Sequence, residues 1–167
     1  VWDYWVIYSN PFNIPYLNVR HIQEDLRFYR VHNVKNIFVE CEFPEDTSFS
    51  HFKQWFGYKL MIDPDASYSE LADRFCKAYY GKGAIPMRKY MDYLQDREDA
   101  ADVLLAKTGI MAVPYLDREF FTKVNAFLDE AESLAAGDVS SLEHIGYERI
   151  PVDIALLHLR SNFGTDI

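Results

Sequence analysis

Residues 34–43, VKNIFVECEF, end an apolar run in two carboxylates, Glu40 and Glu42. A strand bound for a protein interior rarely finishes in acid unless something pairs with that acid or uses it. Two apart on a strand, Glu40 and Glu42 point to one face, opposite Val39 and Cys41. Carboxylates this close suit a general acid or a proton-sharing pair. Glycosidases, however, set their two carboxyls on different strands, about 5–10 Å apart according to stereochemistry. A partner for Glu40 is therefore expected on another strand. For Glu42 there is a second reading, in which the strand simply leaves for solvent and Glu42 begins the polar loop EFPEDTS. Near the other end of the first apolar stretch, Tyr4 and Tyr8 can stack on a sugar ring or donate a hydrogen bond to it. The competing reading places them in the core, where aromatic stripes more often belong.

Other chemistries find little support. His21, His32, His51, His144 and His158 are scattered, and no pair has the helical spacing of a zinc site with a nearby acid, so no metal and no cofactor is expected. YYGKGAIP follows no strand and lacks the Walker lysine-serine ending, which makes it a turn between helices. DREDAAD reads as a solvated helix face. Cys41 and Cys76 have no metal spacing and decide neither compartment nor disulfide. The formal net charge of −9 repels phosphate backbones and anionic lipid, so neither nucleic acid nor a membrane is an expected partner. Aromatics at 16% fit either a heavily packed core or a surface for flat ligands.

The elements that must position these residues follow from the pattern. Residues 2–9, WDYWVIYS, favour a strand. Trp2, Tyr4, Val6 and Tyr8 share one of its faces, and Asp3, Trp5 and Ile7 share the other. Asn and two prolines in NPFNIP break it. Asn18 is placed to cap a helix carrying Val19, Ile22, Leu26 and Tyr29 at helical spacing, and residues 36–42 form a second strand. Strand, helix and strand in about forty residues make a βαβ unit with parallel strands. From Glu45 onward helices dominate. One covers FSHFKQWFGYKLM, and a second starts at the capping box of Ser67 and Glu70 and stops at Gly81. Pro86 suits the first turn of a third. Asp117 caps a longer helix with Gly137 just after it, and a final segment from Ser140 to about Phe163 carries Pro151 as a kink or break. The expected fold is α/β turning mostly α, divided into residues 1–43 and a helical region at 44–167.

Two parallel strands alone are marginal in water, with open edges that helices cannot pair. The opening on VWDYWVIYS, already strand-like, agrees with a piece of a longer chain. Either the pair belongs to a larger sheet or its unpaired edges join another copy as a homo-oligomer.

The stretches DYW…NPFNIPYLNVRHIQEDLRFYRVHNVKNIFVECE and KLMIDPDASYSELADRFCKAYYGKGAIPMRKYMDYL resemble the C-terminal part of the domain of unknown function 4838, with members classed in glycoside hydrolase family 163. Similar helical segments follow the barrels of α-glucuronidases and some hexosaminidases. The resemblance covers most of the chain and is weakest between Thr108 and Leu116. It implies that the two strands are the last two of a (β/α)8 barrel followed by a helical bundle region. It also implies endo-β-N-acetylglucosaminidase-like cleavage of N-glycans, with Glu40 as a catalytic carboxylate at a strand's end and the partner acid outside this chain. Tyr4, Tyr8 and Glu42 become substrate-binding candidates. A periplasmic or cell-surface location is inherited from the resemblance alone. A different class also fits the residues: a non-catalytic helical module binding glycan or a partner protein, or one that only buttresses its parent.

Overall fold

The computed structural model describes residues 1–8, 11, 13–41, 47–101 and 109–163. In order, these form strand β1 (Trp2–Tyr4), helix α1 (Val19–Val31), strand β2 (Phe38–Glu40), and helices α2 (Ser50–Ile62), α3 (Tyr68–Tyr79), α4 (Ala84–Ala100), α5 (Arg118–Leu134) and α6 (Val139–Phe163). The chain is mostly helical around one two-stranded parallel sheet, as the βαβ reading expects.

Both strands are shorter than their sequence patterns. β1 was expected over residues 2–9 and β2 over 36–42, but regular pairing ends at Tyr4 and Glu40. Beyond the paired residues, Trp5 N–H reaches the Glu40 carbonyl (2.9 Å), Phe38 N–H the Val1 carbonyl (2.8 Å) and the Val1 amino group the Asn36 carbonyl (2.9 Å). The reason is burial: Trp5, Val6 and Ile7 leave the sheet and are buried, Trp5 and Ile7 within the helical core, so burial replaces pairing. Trp5 lies against Gly57 of α2 so closely that a Cβ there would sit 2.1 Å from its ring.

Two helix starts follow the local chemistry their sequences offer, and the start of α1 does not. Ser67 accepts the Glu70 N–H at 3.3 Å, and Asp117 accepts that of Phe120 at 2.8 Å. Gly81 ends α3 with φ +51, a conformation that suits glycine. Asn18 sits at the N-cap of α1, but its side chain caps nothing and its Oδ1 is buried without a partner. Residues of α4 do that work instead: Glu98 accepts the Leu17 N–H (2.6 Å) and Gln95 the Arg20 N–H (3.4 Å). Pro86 lies in the first turn of α4, and α6 runs through Pro151 without ending.

One contiguous core joins the segment after β1, α1 and every later helix. Its centre is aromatic, with Phe49, Phe52, Phe56, Tyr80, Tyr90, Phe120 and Phe121 all sealed from solvent. No helix among the described residues is long and apolar enough to cross a membrane.

Candidate functional site

The parallel register pairs Trp2 with Phe38, Asp3 with Val39 and Tyr4 with Glu40. Strand alternation therefore puts Trp2, Tyr4, Phe38 and Glu40 on one face. The helices leave that face open: Trp2 is 61% exposed, Tyr4 51% and Phe38 57%. The rings nonetheless group together. Trp2 and Phe38 lie 4.6 Å apart, Trp2 and Tyr4 6.4 Å, and Tyr4 meets Tyr8 edge-on at 5.8 Å. Tyr4 and Tyr8, both expected to share a face, thus border the same open surface, whereas Val6 between them is buried.

Glu40 occupies the C-terminal end of β2 on this surface. The Trp2 indole N–H donates to its Oε2 at 3.1 Å, which fixes the carboxylate's direction. Its other oxygen has no partner among the described residues. Glu42 lies outside the described residues. Asp3 points to the helical side, where it accepts the Trp5 indole N–H at 3.0 Å and the Tyr4 backbone N–H at 2.9 Å. It anchors Trp5 and stands apart from the open face. Burial, together with Asp3 and its neighbours, raises both the Tyr29 hydroxyl and the Asp25 carboxyl above their ordinary values.

Beneath the open face lies a second polar group that the sequence reading did not single out. Lys53 of α2, fully buried, donates to the Trp5 carbonyl at 2.8 Å, and its ammonium lies 5.1 Å from the centre of the Tyr16 ring. Glu148 of α6, also buried, accepts the Phe49 N–H at 2.6 Å and the Tyr80 hydroxyl at 2.8 Å. Phe49 holds a left-handed conformation with φ +52, so the Glu148 bond secures a strained turn. Glu98 reaches Leu17, and the Tyr115 hydroxyl beside it donates to the Pro15 carbonyl at 2.8 Å. These three ionisable side chains grip the segments that follow β1 and precede α2.

Burial dominates their electrostatics. It pushes the Glu98 carboxyl up to about 8, against the opposing pull of the Leu17 N–H and of Lys53. It pushes Glu148 up to about 7, with the Phe49 N–H opposing. The Glu98 Oε2 is sealed without a partner, which suits a protonated carboxyl. Glu98 belongs to DREDAAD, so that run is corrected in part: Asp96 is solvated while Glu98 turns inward. A signal was present in the sequence. Glu148 continues the spacing of Ser141, Ile145, Val152, Ala155 and Leu159, and Glu98 that of Met87, Met91 and Leu94. A charge on an apolar stripe marks a buried charge.

No group of three His, Cys, Asp or Glu able to hold a metal occurs among the described residues. Cys76 is buried and Cys41 half-buried, and neither forms a disulfide.

A family model described as a domain of unknown function, DUF4838, matches residues 1–92, more than half of the 167. The chain belongs to the DUF4838 family. The DUF4838 match spans β1, α1, β2, α2, α3 and the first part of α4, and so includes Tyr4, Tyr8, Glu40 and Lys53. Glu98 and Glu148 lie beyond it, so the DUF4838 segment is held in place by residues outside its own match. Neither a curated protein nor a solved structure matches the chain.

Proposed function

We propose that the open face of β1 and β2 is the inner wall of a glycoside hydrolase barrel acting on N-acetylglucosamine-containing glycans, with Glu40 as one catalytic carboxylate. The observation that carries this reading is the position of Glu40: the C-terminal end of a parallel strand, on the face free of helices, beside Tyr4 and oriented by Trp2. In (β/α)8 barrels helices cover the outside of the sheet, and chemistry gathers where parallel strands end. Two exposed edges and one bare face are what such a βαβ unit presents when strands to either side complete the sheet.

In this reading the carboxyl of Glu40 gives its proton to the glycosidic oxygen as the C–O bond breaks. The substrate's own acetamido oxygen closes on the anomeric carbon, aided by a second carboxylate from an earlier strand. Water then opens the cyclic intermediate at the anomeric carbon, and Glu40 takes a proton from that water. Tyr4 and Tyr8 flank the sugar ring, and the Trp2 indole keeps Glu40 aimed.

The test uses a longer chain that carries the preceding strands. There Glu40→Gln lowers kcat on β-N-acetylglucosaminides by at least about 100-fold, the usual range for general acid–base catalysis, with KM nearly unchanged. The 167-residue chain by itself shows no turnover. Full activity of the Glu40→Gln enzyme would remove Glu40 from the chemistry. The exposed aromatic row favours a second reading, a non-catalytic glycan-binding module. Oligosaccharide binding to the 167-residue chain that survives both Glu40→Gln and Tyr4→Ala would place that binding elsewhere, on the helices.

A further inference from the structure

A groove of about 540 Å³ runs between α3 and α4, far in sequence from Glu40. Lys77, Lys82, Arg88 and Lys89 line it, against only Asp73 and Asp92. In a chain of net charge −9, this is a local excess of positive charge. The two acids do not offset the lysines, because Arg88 engages both. Its guanidinium pairs with Asp73 from α3 and, at 3.1 Å, with Asp92 from its own helix, and it also donates to the Ser69 carbonyl at 3.3 Å. Lys77, Lys82 and Lys89 are exposed and have no ion-pair partner among the described residues. Burial raises the Cys76 thiol to about 12, so it stays neutral and adds no opposing charge.

The cations left over are consistent with a phosphate or sulfate head. A guanidinium is a planar fork matched to carboxylates and phosphates alike, and here that fork is taken by Asp73 and Asp92. Ammonium groups are point charges with rotatable donors, and lysines bind phosphate in that way. The wall beside them is apolar, made by Ala84, Cys76 and Ile85, the last 69% exposed. The volume lies within the range of small-molecule pockets. An extended polyanion would meet the negative field of the rest of the molecule, whereas a small one meets only the groove. We propose that this groove binds a small organic molecule bearing a phosphate or sulfate ester, its anionic head on Lys77, Lys82 and Lys89 and its carbon portion on Ile85.

Calorimetry on the complete protein with phenyl phosphate, phenyl sulfate, inorganic phosphate and phenol tests this. At least one ester should bind, more tightly than inorganic phosphate and far more tightly than phenol, with affinity falling as salt rises. The ester that binds better identifies the source of the anion. The triple variant Lys77→Gln, Lys82→Gln, Lys89→Gln should bind at least tenfold more weakly with an unchanged melting temperature, while Lys35→Gln binds as the parent does. Four outcomes would overturn the assignment: no binding of either ester, equal affinity for phenol, equal affinity for inorganic phosphate, or binding that ignores the triple substitution.

Discussion

Among the described residues Lys53 is the buried cation that Glu98 and Glu148 both feel, and the pair has a pH signature at the residue scale. Both carboxyls have folded-state values above the ordinary 4.5, near 8 and near 7. Between 4.5 and those values the folded chain keeps protons that the unfolded chain has lost. Stability from these groups is therefore present in mild acid and declines as pH climbs toward 8, by at most about 1.4 kcal/mol per pH unit for each group. Denaturant unfolding between pH 5 and 8.5 should show that decline. Glu148→Gln should flatten it, because the amide still accepts the Phe49 N–H and carries no charge. A slope unchanged by the substitution would mean that Glu148 is ionised throughout. Glu40 contrasts with this pair: its carboxylate lies on an open face, so its value to the protein is directional and comes from the Trp2 indole.

At the scale of elements, Trp5, the residue after β1, is seated closely on α2. Gly57 lets the helix lie against the Trp5 ring, and any Cβ would overlap ring atoms at 2.1 and 2.2 Å. Overpacking of this kind costs about 1–3 kcal/mol. Gly57→Ala should lower the denaturant midpoint accordingly, and adding Trp5→Phe should recover part of the loss by removing the outer ring. If Gly57→Ala alone left stability unchanged, the close seat of Trp5 on α2 would be wrong. The pattern of α2 made it a helix, but nothing in FSHFKQWFGYKLM says which side chain the glycine must admit. The Trp5 ring comes from more than fifty residues away. The shortening of β1 has the same origin, since its strand-like residues 5–7 are as fit for burial under helices as for a ladder.

For the whole molecule, the sheet and the helical body differ in how well they are held. Three paired residues per strand and one bare aromatic face leave β1 and β2 with little besides their anchors, while α4 and α5 lie within the core. Native-state hydrogen exchange should therefore find the amides of Phe38 and Trp5 exchanging well before those of Met91, Leu94 and Val124. A longer chain supplying neighbouring strands should raise protection at β1 and β2 and leave α4 and α5 as they were. Equal protection of sheet and helices in the 167-residue chain would show that the pair is stable without further strands.

Much was decided by short-range chemistry. The six helical tracts, the caps at Ser67 and Asp117 and the stop at Gly81 depend on neighbours within a turn or two, and local sequence carries that information. The placement of Glu40 at a strand's end came from the same source. The parallel pairing of β1 and β2 is long-range and was legible only through the order of the elements. Tertiary structure decided what depends on residues distant in the chain: that α4 caps α1 through Glu98 and Gln95 in place of Asn18, that Lys53 and Glu148 are buried while Glu98 turns its carboxyl inward, and that Trp2 reaches Glu40. A side chain's partner is set by which elements pack together, and burial then sets its charge.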